Sequence, residues 1–152
     1  MALIGALGIA LLAMTTFIHY ETLRALTFGL QRLHMPARAK LMIVIFVAFF
    51  AHALEIALYA VAFWVLSTHF GIGSLGDDPH PSFDIAMYLS AETYTSLGYG
   101  DVVPGGDLRL LAGIETLNGL LLIGWSASYI FIAMERFWRD EDGGNTRDRT
   151  RS

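Results

Sequence analysis

The residues best suited to chemistry lie between Thr95 and Asp101, where the sequence reads Thr-Ser-Leu-Gly-Tyr-Gly-Asp. Gly98 and Gly100 are separated by one residue, and glycine adopts a positive φ without steric cost. A backbone with positive φ at alternate residues turns successive carbonyl oxygens to the same side. Several copies of this segment around one axis would therefore form stacked cages of oxygen atoms.

This segment resembles the selectivity filter of potassium channels, whose loops read Thr-Val-Gly-Tyr-Gly. Residues 98–101 agree with that signature, whereas Ser96 replaces threonine and Leu97 replaces valine or isoleucine. Ser96 still offers a hydroxyl acceptor. The resemblance implies a filter formed by five residues: Ser96, Leu97, Gly98, Tyr99 and Gly100. K⁺ is expected to bind at oxygens of residues 96–99.

The flanking sequence has the order of a re-entrant pore loop. A short pore helix is expected over residues 82–95, with Ser82 as its N-cap. The filter at 96–101 follows, and an apolar helix comes after it. The resemblance therefore covers a pore domain over residues 41–134.

Composition places the chain in a bilayer. Of 152 residues, 55% are hydrophobic and only 16% are charged, which lies outside the range of ordinary soluble domains. The absence of cysteine excludes disulfides and thiolate sites, and the five histidines show no paired zinc spacing. Because no nucleophile–base pair is evident, we expect that the protein is not an enzyme. We also expect no nucleic-acid partner and no cofactor besides permeant K⁺.

Three apolar stretches are long enough to cross the hydrocarbon core. We expect an N-terminal transmembrane helix over residues 1–20, an outer helix over 41–66 and an inner helix over 108–134. A signal peptide is disfavoured, because no basic segment precedes the first stretch and no clear cleavage site follows it. The predicted fold is thus an all-α membrane protein with three transmembrane helices, a re-entrant pore helix and a filter loop. It is similar to short prokaryotic pore-loop potassium channels with an additional N-terminal helix.

The segments outside the spans are predicted separately. Residues 21–40 set arginines among leucines, which is typical of an amphipathic helix at the membrane surface, and Pro36 breaks the pattern. The alternative is that the first helix continues beyond the membrane. Residues 135–152 form a short charged tail with nothing to bury.

The charge distribution predicts the orientation. Residues 67–107 contain six acids and no lysine or arginine, whereas the linker at 21–40 and the tail from Arg136 carry the basic residues that flank the spans. Basic segments favour the cytoplasm. We expect a multi-pass protein of the inner (plasma) membrane, with the N-terminus and filter outside and the C-terminus cytoplasmic.

The chain has one filter motif and no internal repeat, so a closed pore needs several copies. The resemblance implies a potassium-selective homotetramer in the lipid bilayer. One alternative is a weakly selective cation channel. The sequence departs from the family pattern at Ser96, and it has Tyr88 and Leu89 where pore helices of the family often have two tryptophans. Another is a nonconducting membrane sensor or structural subunit that retains the pore fold.

Four residues are expected to support the filter: Tyr88, Glu92, Thr95 and Asp101. Glu92 precedes Asp101 by nine residues, the spacing at which similar bacterial channels couple a glutamate behind the filter to the aspartate after it. The resemblance implies that the two carboxyls share a proton or a water. The alternative is a solvent-facing glutamate.

Ionisable side chains within a span should face protein or water rather than lipid. His52 and Glu55 share one face of the outer helix, and Glu115 and Asn118 share one face of the inner helix. Glu55 and Asn118 lie at comparable depths, which allows a contact between them. The cluster is either a hydrogen-bonded clasp or a proton-sensitive gate with His52 as the titrating group.

Gly119 lies in the inner helix at about the distance from the filter where inner helices of the family often bend. It is a candidate gating hinge. The alternative is close helix packing, which small residues favour in membranes.

Overall fold

The computed structural model describes residues 1–33 and 35–149, with side chains in these ranges through residue 139. Apart from isolated bridges in loops, regular secondary structure in this part of the chain is helical. The prediction of an all-α fold is thereby confirmed for the described residues. The helices are α1 (Ala2–Arg32), α2 (Ala37–Thr68), α3 (Phe83–Tyr94) and α4 (Leu108–Arg149).

Three of the helices are long and apolar enough to cross a membrane, as predicted. These are α1, α2 and the part of α4 from Leu108 to Arg139. Each is 31 or 32 residues long, which exceeds the roughly 20 residues that a hydrocarbon core requires. The short helix α3 lies between the second and third of them in the chain.

The connection between the first two helices differs from the predicted one. No separate amphipathic linker occupies 21–40, because α1 continues as one helix to Arg32, as the alternative of a continuing helix expects. The helix α2 begins at Ala37, and the carbonyl oxygen of Pro36 accepts from the backbone amides of Ala39 and Lys40 at 3.0 and 3.2 Å. Proline suits the start of a helix because the amide it lacks has no partner there.

The C-terminal helix is also longer than predicted. It passes the expected end of the inner helix at residue 134 and continues to Arg149, so the first part of the predicted tail is helical. Residues 150–152 of that tail lie outside the described residues.

One stripe of buried residues runs along the whole of α1. Its members recur every three or four positions, which is the period of one helix face. The stripe contains two polar residues near its middle, so α1 brings polar groups as well as apolar ones into the bundle. The members are Ile4, Gly8, Leu11, Thr15, His19, Leu23, Leu26 and Leu30.

The bundle interior has two apolar clusters with polar side chains between them. One cluster joins the start of α1, the end of α2, α3 and the start of α4, and it includes Phe63, Leu89 and Leu111. The other lies towards the end of α1 and includes Leu26 and Val44. We call the side chains between them the polar layer: Thr15, His19, His52, Glu55, Tyr59, Tyr94, Asn118 and Ser126.

The chain ends and loops show which helix ends lie together. The amino group of Met1 is 2.6 Å from Asp107 Oδ2, so α1 begins beside the start of α4. The loop before α3 pairs with the loop before α4, since the Gly76 amide donates to the Val103 carbonyl at 3.0 Å. Leu75, 1% exposed, anchors this contact in the apolar cluster.

Helix α3 has the predicted start. The Ser82 hydroxyl accepts from the Ile85 amide at 3.4 Å and serves as the N-cap. The helix ends at Tyr94, and the Thr95 amide donates to carbonyl oxygens of the last turn. The chain therefore enters the segment after Thr95 directly from a helix C-terminus.

Candidate functional site

The segment after α3 has an alternating backbone. The φ angles of Ser96, Gly98 and Gly100 are 58°, 56° and 79°, whereas those of Leu97 and Tyr99 are negative. The two glycines thus adopt the conformation predicted for them. Ser96 is the one non-glycine residue with positive φ among the described residues, a conformation that side chains disfavour.

Backbone hydrogen bonds join this segment to the last turn of α3. The amides of Leu97 and Gly98 both donate to the carbonyl oxygen of Glu92, at 2.8 and 3.3 Å, and the Ser96 amide donates to Thr93 at 3.1 Å. These bonds satisfy carbonyl groups that a helix C-terminus leaves without partners. The helix end therefore holds the first half of the segment.

The two acids expected to support the filter have different partners. Glu92 is 4% exposed, and its Oε2 accepts from the Tyr99 amide at 3.1 Å. Asp101 accepts from the Tyr88 hydroxyl, which lies 3.0 Å from each of its carboxylate oxygens. Within the described residues no direct hydrogen bond joins the two acids, and each braces a different point of the segment; the predicted sharing of a proton or a water between them stays a prediction.

Tyr88 is held as a donor in this arrangement. Desolvation, followed by the hydrogen bond and the charge of Asp101, raises the pKa of the Tyr88 phenol to about 12. A neutral phenol keeps its hydrogen at physiological pH, so it continues to donate to the carboxylate. The exposed Thr95 has a local partner instead, since its hydroxyl donates to the Ala91 carbonyl at 2.7 Å.

The side chains that alternate with the positive-φ residues are exposed. Leu97 is 57% exposed and Tyr99 is 70% exposed in the single chain. Exposed apolar groups of this size beside one another are typical of a surface that another partner covers.

Glu55 is the centre of the polar layer. Its carboxylate is fully buried and contacts His19 Nδ1 at 3.0 Å and His52 Nδ1 at 3.2 Å. The Tyr94 hydroxyl donates to it as well and lies 2.9 Å from His52 Nδ1. Burial, followed by the bond to Glu55, raises the pKa of the Tyr94 phenol, so this group also stays neutral and donating.

Ser126 closes this group into a ring. Its hydroxyl oxygen lies 3.0 Å from His52 Nε2 and 3.1 Å from His19 Nε2. Both imidazoles therefore have Nδ1 towards Glu55 and Nε2 towards Ser126. Three membrane-spanning helices and the last residue of α3 meet here through side chains alone.

Asn118 belongs to a second part of the polar layer. Its amide nitrogen donates to Thr15 Oγ1 at 2.6 Å and to the Tyr59 hydroxyl at 3.2 Å. The contact between Glu55 and Asn118 that their depths allow is not formed. The reason is that α1 supplies Thr15 and His19, which take the bonds that these two residues would otherwise offer each other.

Glu115 lies apart from Asn118 in its contacts. The Ser90 hydroxyl lies 2.5 Å from Glu115 Oε1 and 2.8 Å from the Ile56 carbonyl oxygen. Glu115 Oε2 is buried without a hydrogen-bond partner among the described residues. The four predicted intramembrane residues thus divide among three contacts rather than forming one cluster.

Gly119 lies against the end of α3. A Cβ atom built at this position would collide with the carbonyl oxygen of Tyr94 and approach its ring, whereas Gly113 and Gly124 face open space. The helix α4 is continuous through this position. Close packing at Gly119 is therefore observed, and it places α4 directly behind the residue that leads into the segment at 95–101.

Sequence reasoning missed several members of the polar layer. His19 lies at the end of the predicted N-terminal helix at 1–20 and is not among the residues predicted for the intramembrane polar cluster. A detectable signal was the spacing of Leu11, Thr15, His19 and Leu23, because polar residues that keep the period of an apolar stripe lie on the buried face. Tyr94 and Ser126 carry no comparable sequence signal.

The structure defines a class of protein: a helical chain in which α2 and α4 pack against a short helix that leads into a loop of alternating backbone conformation, and α1 packs on α2 and α4. A family model described as an ion channel matches residues 39–136, nearly two thirds of the chain. The chain belongs to this ion channel family and is a multi-pass membrane protein. No curated protein and no solved structure gives a significant match.

Proposed function

We propose that this protein is a potassium-selective channel whose pore is a homotetramer lined by the carbonyl oxygens of residues 96–99. The supporting observation is the alternation of positive φ at Ser96, Gly98 and Gly100 in an ion channel family member. Alternation turns successive carbonyl groups to one side, and rings of carbonyl oxygens can replace the hydration shell of K⁺.

Several copies are needed because one chain offers one such segment and cannot enclose an axis. The exposed Leu97 and Tyr99 give neighbouring copies an apolar surface to cover. Exposed leucines also lie on α4, including Leu117 and Leu121, and these suit either a neighbouring copy or lipid. Four copies supply four oxygens per layer, which is the arrangement implied by the resemblance of the segment to a potassium filter.

The supporting residues receive roles from their contacts. Glu92 positions the Tyr99 amide from behind, and Tyr88 positions Asp101 at the outer end of the filter. Gly119 allows α4 to approach the end of α3, and bending at this point would move the inner helix relative to the filter. The polar layer is the clasp that joins α1 to the pore domain.

The proposed location is the plasma membrane, with the N-terminus and the filter outside. The end of the bundle that holds the filter carries the acidic segment 67–107, and the basic residues Arg24, Arg32 and Lys40 lie towards the other end. Since the chain has no cysteine, single cysteines at residues 71 and 40 can report the orientation. An impermeant maleimide added outside should label the first and not the second.

Rubidium uptake tests the function. Purified protein in K⁺-loaded liposomes should take up external ⁸⁶Rb⁺, driven by the outward K⁺ gradient. External Na⁺ should not compete with this uptake. Protein-free liposomes are the control for leak. Cross-linking in lipid should stop at four copies, and a stable monomer or dimer would contradict the proposed pore.

The same measurement separates the alternatives. Uptake that Na⁺ reduces in proportion to its concentration would indicate a weakly selective cation channel with a loosened filter at Ser96. A tetramer without uptake under any ionic condition would instead indicate a nonconducting sensor or structural subunit.

A further inference from the structure

We propose that His19, His52 and Glu55 form a binding site for a divalent transition-metal ion of the zinc class, placed between α1 and α2 and beside Tyr94. One donor atom from each of the three residues lies within 4.8 Å of the others. The site lies outside the segment 95–101 and goes beyond ion conduction.

The separations between the donor atoms agree with tetrahedral coordination. Zinc bonds to nitrogen and oxygen at about 2.0–2.1 Å, so two ligands of a tetrahedral ion are about 3.3 Å apart. Glu55 Oε1 lies 3.0 Å from His19 Nδ1, and Glu55 Oε2 lies 3.2 Å from His52 Nδ1. Each imidazole nitrogen is therefore near this spacing from one carboxylate oxygen, and all three residues offer a donor atom within 4.8 Å of the others.

The donor types select the class of metal. Two imidazoles and one carboxylate are a typical protein set for Zn²⁺, whereas Ca²⁺ and Mg²⁺ prefer oxygen ligands throughout. Among the described residues, the ion-pairing partners of Glu55 are histidines, and neither lysine nor arginine contacts it. A divalent cation would supply the positive charge that a buried carboxylate requires.

Ser126 fits the role of a second-layer partner. A metal on both Nδ1 atoms leaves both Nε2 atoms protonated, so each ring must donate a hydrogen bond at Nε2. The Ser126 oxygen lies 3.0 and 3.1 Å from these two atoms and has two lone pairs to accept both bonds. Partners of this kind fix the ring orientation of metal-bound histidines.

The position of the site connects it to the pore domain. The side chain of His52 is 18% exposed in the single chain, whereas those of His19 and Glu55 are fully buried. The Tyr94 hydroxyl lies 2.9 Å from His52 Nδ1, so it stands beside the three donor residues. Bound metal would therefore cross-link α1 and α2 next to the last residue of α3.

Metal binding by purified, tag-free protein in detergent tests the proposal. After chelator treatment and dialysis against Zn²⁺, elemental analysis should find one zinc per chain. Replacement by Co²⁺ should give the intense visible absorption of tetrahedral cobalt. Affinity should fall as the pH drops below the ordinary histidine pKa of about 6.5, because protons compete for the imidazoles.

Variants locate the site. His19→Gln and Glu55→Gln should weaken zinc binding by more than roughly 100-fold, and Ser126→Ala by roughly 10-fold. His69→Gln and His80→Gln change histidines in the exposed loop and should bind like the parent. If a triad variant fails to fold, the cobalt spectrum of the parent and the Ser126→Ala affinity still test the site.

Two results would overturn the proposal: parent protein without zinc at stoichiometric concentrations, or triad variants with unchanged affinity. The first result would mean that His19, His52 and Glu55 form hydrogen bonds with one another and bind no metal ion. Because none of these measurements uses ion flux, they can fail while the channel conducts, and zinc can bind to a protein that conducts nothing.

Discussion

The segment at 95–101 and the polar layer behind it are built in opposite ways. The segment depends on backbone conformation, with positive φ at three alternate residues and exposed side chains between them. The polar layer depends on side chains from regular helices, most of them buried and hydrogen-bonded to one another. One region exposes its side chains, and the other has its polar groups largely hydrogen-bonded within the bundle.

This contrast explains which region is complete in one chain. Glu55, His19 and Ser126 find their partners inside a single bundle, so the polar layer stabilises the chain itself. Leu97 and Tyr99 find no such cover, so the filter segment requires further copies of the chain. Changes in the first region should therefore alter stability, and changes in the second should alter conduction.

The largest expected effect is on flux. Gly98→Ala should abolish rubidium uptake, because alanine at a φ of +56° is strained by about 1–2 kcal/mol and the backbone would rotate its carbonyl away. The tetramer should still assemble, since a Cβ at this position meets no atom of its own chain.

Gly71→Ala is the matched control for that variant. Gly71 also has positive φ, at +62°, and open space around it, but it lies in the loop before α3. This change should leave uptake intact. Parent-like uptake by Gly98→Ala would show that the segment does not line the pore.

The next effect is on stability. Glu55→Ala should lower the free energy of unfolding by about 3 kcal/mol, because it leaves the buried His19 imidazole, the partly buried His52 imidazole and the Tyr94 phenol without their shared acceptor. The measurement is the thermal midpoint of the assembled protein in detergent. Glu21→Ala removes an exposed acid paired with Arg24 and should change stability by less than about 1 kcal/mol. If both variants change the thermal midpoint equally, the buried hydrogen bonds of Glu55 contribute no more to stability than an exposed ion pair does.

A smaller effect is expected where the two regions meet. Gly119→Ala should destabilise the protein by about 1–3 kcal/mol, since the new methyl group collides with the Tyr94 carbonyl oxygen. Gly124→Ala, on the same helix but with open space, should be neutral or raise stability by up to about 1 kcal/mol. Thermal unfolding of the two variants side by side gives the comparison, and an order opposite to this one would refute the contact.

The smallest effect concerns the brace behind the segment. Glu92→Ala removes the acceptor of the Tyr99 amide and should destabilise the local conformation by about 1–2 kcal/mol. The expected result is faster inactivation in single-channel recording, with tetramer assembly unchanged. Glu92→Gln retains an oxygen acceptor and should behave more like the parent. Identical inactivation in all three proteins would mean that this bond is unimportant.

Local patterns in the sequence were sufficient to predict the long helices, the start of α3 and the conformation of the two glycines at 98 and 100. The Gly-x-Gly spacing predicts positive φ at Gly98 and Gly100 because only glycine adopts it freely. Ser82 predicts the start of α3, and the length of the apolar stretches predicts the three long helices. Each of these depends on neighbouring residues in the chain, which is why the sequence by itself determined them.

The tertiary structure decided which side chains share a partner. His19 joins His52 and Glu55 only because α1 continues as one helix and turns one stripe of residues into the bundle. Glu92 accepts from the Tyr99 amide, and Asp101 accepts from the Tyr88 hydroxyl, so the tertiary structure gives these two acids different partners. Such pairings depend on how the faces of different helices meet. No local pattern in the sequence encodes which residues from distant parts of the chain come into contact.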